Sequence, residues 1–211
     1  MSKFVSAYLA AYNLVQLLGF VSHLHFYLPD GASPSAQLSC EQVLRIFQTL
    51  AVLEIIHSCL RLVKSAPGTT AIQISSRLLI LWGVCYHFVH VNFKQMMFVS
   101  WCLADITRYL YYFLSSFSEP PRVLTNFRYN LFLVLYPTGI TGEVALMWYS
   151  LVYAARKPFI HFPLPNALNF GFSTYELYCA FLLLYLPGSP VMYGHMLAQR
   201  QKVMNRKKKV A

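Results

Sequence analysis

The sequence predicts an all-α polytopic membrane protein, a bundle of six transmembrane helices, and three observations lead there. Of its 211 residues, 57% are hydrophobic and only 11% are charged, against about 25% charged in ordinary soluble domains. Six apolar runs reach the roughly 20 residues needed to cross a hydrocarbon layer of about 30 Å. The basic residues gather at the ends of those runs and fall unequally on alternate sides.

Taken in order, the first run, 4–28, is too long for the apolar core of a secretory signal and lacks a small-residue cleavage site, so it reads as a retained helix. The second, 43–63, carries Arg45 and Glu54. The third, 70–93, has Gln73 and Arg77 one helical turn apart near one end. Run 96–117 holds Asp105 and Arg108 at i, i+3, on one helix face. Run 127–155 contains Tyr136, Pro137, Gly139, Gly142 and Glu143, and run 172–197 opens with Glu176. The connectors leave no room for a soluble domain. The chain, 1–211, is therefore expected to be a single six-span domain with a basic tail over about 199–211.

Charge orients the bundle. Lys3, Arg61, Lys64, Arg77, Arg122, Arg128 and six basic residues of the tail make twelve on one side, while Lys94, Arg156 and Lys157 make three on the other. By the positive-inside rule the twelve face the cytosol, which puts both termini there. The net charge of +10 thus reflects membrane topology, and no nucleic-acid partner is expected. Lys208 and Lys209, before the final Val-Ala, resemble the dilysine retrieval signal of endoplasmic reticulum membrane proteins. A generic attraction of the basic tail to anionic lipid is the alternative.

Five cysteines with no CxxC spacing give neither a disulfide framework nor a zinc site. The only histidine pair at helix-face spacing is His87 with His90, far short of the clustered boxes of a di-iron enzyme. The stretch "CLADITR", Cys102 to Arg108, matches the Cys-x5-Arg spacing of tyrosine phosphatases. That chemistry needs a loop whose backbone N–H groups wrap a phosphate, whereas this stretch has no glycine and continues an apolar helix.

An ionisable group at bilayer depth costs about 2.5–3.5 kcal/mol even on lenient insertion scales, so each calls for a partner or a task. Asp105 and Arg108 suit a buried ion pair. Glu54, Gln73 and Arg77 suit a polar cavity, although Arg77 alone also suits snorkelling to the headgroups. Tyr136 and Glu143 are seven residues apart, so they project from nearly the same face about 10 Å apart along the helix. Pro137, Gly139 and Gly142 lie between them and remove a backbone donor and side-chain bulk. This suits a substrate groove, while packing of Tyr136 and pairing of Glu143 with a buried arginine remain a structural alternative.

The segments "RYNLFLVLYPTGITGE", "LEIIH", "QISSR", "ITRY" and "LPGSP…MLAQRQK" resemble the 3-hydroxyacyl-CoA dehydratases of very-long-chain fatty acid elongation, a family once called tyrosine-phosphatase-like. The resemblance covers nearly the whole chain. It implies that Tyr136 and Glu143 form the catalytic pair, supported by Glu54, Gln73, Arg77, Arg128 and Gly139. Asp105 departs from the glutamate expected there.

The implied reaction is dehydration of a very-long-chain (3R)-3-hydroxyacyl-CoA to the trans-2-enoyl-CoA, with Glu143 preferred as base and Tyr136 as acid, the reverse remaining open. Arg77 or Arg128 is placed to hold CoA phosphates or polarise the thioester. No cofactor or metal is expected. The expected partners are the bilayer, the acyl-CoA and the other enzymes of the elongation cycle: the condensing enzyme, ketoacyl-CoA reductase and enoyl-CoA reductase. The expected location is the endoplasmic reticulum membrane. A small transporter and a non-catalytic scaffold of the elongation enzymes are the competing readings.

Overall fold

A computed structural model describes residues 3–27, 34–85, 92–167 and 169–208. The His87 and His90 pair and Lys209 lie outside the described residues, as does the side chain of Lys208. Helices α1 (Lys3–Tyr27), α2 (Pro34–Leu50), α3 (Val52–Cys59), α4 (Pro67–Leu78), α5 (Asn92–Ser115), α6 (Arg122–Asn130), α7 (Phe132–Arg156) and α8 (Thr174–Lys208) account for most of the chain. Among the described residues, three helical stretches are long and apolar enough to cross a membrane: Lys3–Tyr27, Arg122–Arg156 and Thr174–Asn205.

Of the other expected spans, the fourth is the unbroken helix α5, while the second and third are helical but interrupted. The second is divided between α2 and α3 at Ala51, where the Glu54 N–H donates to the Ala51 carbonyl at 2.9 Å and tightens the turn. It stops at Cys59, short of the expected 63, because Arg61 adopts a left-handed conformation at φ 55°. The Leu62 and Arg61 N–H groups then close the helix end on the His57 and Ser58 carbonyls. After α4 the third span continues as a π-helical stretch, Leu79–Val84, in which the Cys85 N–H reaches back five residues to the Ile80 carbonyl. The tail expected from about residue 199 is the helical continuation of α8 as far as Lys208.

The connector between α7 and α8 contains two short antiparallel strands, β1 (His161–Phe162) and β2 (Phe172–Ser173). Ser173 and Glu176 then start α8 as a capping box, with the Ser173 N–H donating to Glu176 Oε2 at 2.8 Å. Glu176 is accordingly an exposed cap and not a buried charge.

The helices gather into two units, residues 1–89 with 98–135, and residues 90–97 with 136–211. In the first, α1 buries Leu9, Asn13, Gln16, Phe20 and His23 along one stripe. A Cβ on Gly19 would lie 2.3 Å from the Phe47 ring of α2, so only glycine admits this approach. In the second, a Cβ on Gly142 of α7 would meet Met97 Cβ at 2.7 Å and the Phe93 carbonyl oxygen at 2.9 Å, and the start of α5 packs there. Large apolar side chains such as Val15, Leu18, Val134, Leu183, Leu186 and Val191 stand exposed, as expected of helices whose outer faces meet lipid.

Candidate active site

Positions 136, 139 and 143 share one face of α7, at spacings of three and four residues. The helix runs unbroken through Pro137, although the missing N–H there leaves the Leu133 carbonyl without its usual donor. Gly139 and Glu143 are buried and Tyr136 is half-buried. Gly139 lies between the two on the same face and contributes no side chain there.

Both members of the pair are held from α8. The Tyr136 hydroxyl donates to the Ser189 carbonyl oxygen at 3.1 Å, and its ring stacks on Tyr193 with centroids 5.7 Å apart. The Tyr185 hydroxyl donates to Glu143 Oε2. Residues 185, 189 and 193 recur every four positions and so form one stripe of α8. The neighbouring Leu183, Leu184 and Leu186 are exposed. This stripe was not singled out from the sequence, although three polar or aromatic residues at fourfold spacing in an otherwise aliphatic helix are its visible signature.

A second polar cluster lies in the other unit. Asp105, with 2% of its side chain exposed, accepts hydrogen bonds from Arg77 at 2.6 Å, Arg108 at 3.1 Å and Gln48 at 3.0 Å. Arg108 also pairs with Glu54 at 2.6 Å, and the Tyr109 hydroxyl donates to the other oxygen of Glu54. Arg77 lies over the Trp101 ring at 5.3 Å and Arg108 over the Tyr109 ring at 4.5 Å, so aromatic faces complete their surroundings.

Two acids and two guanidiniums thus sum to zero charge, which is how ionised groups are tolerated in an apolar bundle. The expected Asp105–Arg108 pair is present, and Arg77 joins it instead of snorkelling alone. Gln48 and Tyr109 are members that the charge pattern did not single out. Gln73, grouped with these residues on sequence, is exposed on α4, and its carbonyl accepts the Ser76 hydroxyl.

Arg128, on α6, is caged by tyrosines. Its guanidinium lies 4.4 Å from the Tyr111 ring, 4.3 Å from that of Tyr112 and 5.5 Å from that of Tyr129. One nitrogen, Nη2, donates to the Tyr112 hydroxyl at 2.8 Å. The other terminal nitrogen, Nη1, is buried and has no hydrogen-bond partner. A positive group with an unused donor, held by aromatic rings, is a ready recipient for an anionic oxygen.

Among the described residues no cluster of three or more His, Cys, Asp and Glu forms a metal site. The Cys102 to Arg108 stretch is continuous helix within α5. Cys102 is fully buried and Arg108 is committed to Glu54 and Asp105, so no phosphate-wrapping loop exists there.

The family model described as protein tyrosine phosphatase-like protein, PTPLA, matches residues 48–206. A very-long-chain (3R)-3-hydroxyacyl-CoA dehydratase of Caenorhabditis elegans is 37% identical over 95% of this chain and 95% of its own. The dehydratase PASTICCINO 2 of Arabidopsis thaliana, which bears the same activity in its name, is 34% identical over 96% of this chain and 95% of its own. Very-long-chain (3R)-3-hydroxyacyl-CoA dehydratase 2 of Mus musculus is 33% identical over 95% of this chain and 82% of its own. No solved structure matches.

Proposed function

The chain belongs to the protein tyrosine phosphatase-like (PTPLA) family, and from that premise we propose that it dehydrates very-long-chain (3R)-3-hydroxyacyl-CoA thioesters to trans-2-enoyl-CoA, using Tyr136 and Glu143. The observation that carries this reading is the pair itself: an acid and a phenol on one face of an apolar helix, separated by a bare glycine, each anchored from α8. The relatives named as dehydratases favour an enzyme over a transporter or scaffold.

The chemistry follows from the groups. The C2 proton of the substrate is acidified by the thioester carbonyl and passes to the Glu143 carboxylate. The electron pair left at C2 forms the C2–C3 double bond as the C3–O bond breaks. The departing hydroxyl takes the phenolic proton of Tyr136 and leaves as water. Glu143 then holds one proton more and Tyr136 one fewer, and transfer between them through solvent restores the resting state. Tyr136 reaches the substrate by turning its hydroxyl from the Ser189 carbonyl to the C3 oxygen. Each proton transfer of this kind is worth about 10²–10⁴-fold in rate.

The supporting residues divide by location. Glu54 and Arg77, with Asp105 and Arg108, brace the first unit. Arg128 and its unused Nη1 suit a phosphate or carbonyl of the CoA moiety. Gln73, exposed on α4, suits a contact with the polar head of the substrate.

In this reading α5 and the interrupted helices α2–α3 and α4 complete six spans of one domain with cytosolic termini. The acyl chain lies in the membrane and the CoA head in the cytosol. The Lys208 and Lys209 end retains the enzyme in the endoplasmic reticulum beside the other elongation enzymes. Turnover of a (3R)-3-hydroxyacyl-CoA by the purified full chain in detergent, compared with Glu143→Gln and Tyr136→Phe, tests the proposal. Both near-isosteric variants should lose about 10²–10⁴-fold while staying folded. Near-normal turnover by either removes that residue from the mechanism.

A further inference from the structure

We propose that Tyr185 is a positioning residue of the active site: its hydroxyl, donated to Glu143 Oε2, fixes the orientation in which the carboxylate meets the C2 hydrogen of the substrate. The inference rests on the assignment of Glu143 as a reacting group and goes beyond the Tyr136 and Glu143 pair, because it places a third side chain, from a different helix, in control of the second.

Three observations lead to it. First, Tyr185 is half-buried on the stripe of α8 that also supplies Ser189 and Tyr193 to Tyr136, so both members of the pair are held from the same helix face. Secondly, the Glu143 contact is made from another helix by a residue 42 positions away in the chain, through a long tyrosine side chain.

Thirdly, Pro187 and Pro190 lie on either side of Ser189 and withhold the N–H groups that would bond the Leu183 and Leu186 carbonyls. They fall between Tyr185 and Tyr193, so the segment that carries both anchors has fewer ladder bonds than an ordinary helix. The side-chain contacts to α7 compensate for that loss and make the geometry of α8 part of the geometry of the site.

A carboxylate on a glutamate side chain has three freely rotating bonds. A hydroxyl that binds one oxygen removes much of that freedom and selects which lone pairs face the groove. Tyr185 itself exchanges no proton with the substrate in this scheme. Its contribution appears in the rate of proton abstraction and not in the grip on the acyl-CoA.

The test is Tyr185→Phe, which deletes one oxygen and keeps the ring, measured on the full chain in detergent with a (3R)-3-hydroxyacyl-CoA. A hydrogen bond to a charged acceptor corresponds to about 10- to 100-fold in rate, so kcat should fall by that factor with KM within twofold and with the thermal midpoint unchanged. In single turnover, adding Tyr185→Phe to Glu143→Gln should bring no further loss, because the oriented carboxylate is already absent.

A kcat within twofold of the parent while Glu143→Gln is inactive overturns the role of Tyr185 and leaves Glu143 standing. A loss that multiplies with that of Glu143→Gln, or that comes with a lowered midpoint, shows packing and likewise overturns it. Normal turnover by Glu143→Gln removes the reading beneath both.

Discussion

Asp105→Asn isolates the charge balance of the first unit, because it preserves volume and removes one negative charge from a site with 2% side-chain exposure. The new amide must turn its NH2 toward a guanidinium, and Arg77 and Arg108 are left with Glu54 as the only acid among the four. Breaking a buried ion pair on one side typically costs about 3–5 kcal/mol. The Arg77 and Arg108 side chains are 25% and 31% exposed, so water recovers part of this, and about 2–3 kcal/mol is expected to remain.

For a chain of this length that lowers the thermal midpoint by about 5–10 °C. Asp105→Glu keeps the charge and should cost about 1 kcal/mol or less, from the extra methylene alone. Adding Arg77→Met to Asp105→Asn restores neutrality, so the double variant should be more stable than the sum of the singles by about 1–3 kcal/mol. Intrinsic fluorescence during thermal unfolding in detergent reads all three, and Trp101 beside Arg77 places a probe at the cluster. A midpoint for Asp105→Asn within 1 °C of the parent, or strictly additive losses, would refute the balance of charge as the reason for the cluster.

Two further outcomes follow from contacts described above. Gly142→Ala puts a methyl group 2.7 Å from Met97 Cβ and 2.9 Å from the Phe93 carbonyl oxygen. The helices must part, which should cost about 1–3 kcal/mol by thermal unfolding, and an unshifted midpoint would show that this approach is slack. Arg128→Lys keeps the charge but loses the planar face that the three tyrosines hold, so KM for the acyl-CoA should rise about tenfold with kcat within twofold. Unchanged KM in steady-state kinetics would leave Arg128 a structural residue.

What was legible in the sequence was local. Asp105 with Arg108 meets one helix spacing and Tyr136 with Glu143 another, and both stand on single faces of α5 and α7. The apolar runs located the helices but not all their ends: α2 begins at Pro34, nine residues before its run, and α8 continues to Lys208, eleven beyond its run, because polar turns extend a helix without adding to an apolar run. The π-helical stretch at Leu79–Val84 and the left-handed Arg61 arise from tertiary packing and leave no periodicity to read.

The partners of those local pairs were not legible. Tyr185 is 42 residues from Glu143 and Gln48 is 57 from Asp105. In a membrane chain hydropathy tells which segments are helices but not which helices meet, because lipid and helix interiors are equally apolar. Gln73 shows the converse. Its one-turn spacing from Arg77 placed it beside the cluster, but the two side chains diverge, and only Arg77 turns inward.

In the membrane-spanning reading proposed above, the cluster around Asp105 also implies an order of assembly. Glu54 on α3 and Arg77 on α4 leave the ribosome before the residues that neutralise them, and Asp105 and Arg108 arrive together on α5. Until α5 is present, the earlier helices carry an acid and a base without their native counterions, a state that lipid penalises and that a translocation channel or chaperone must shelter. A nascent chain arrested before residue 92 is therefore expected to stay associated with that machinery, and one arrested well beyond residue 115 to be released into the bilayer. In that reading the same four charges that brace the mature protein are expected to act as a checkpoint during its synthesis.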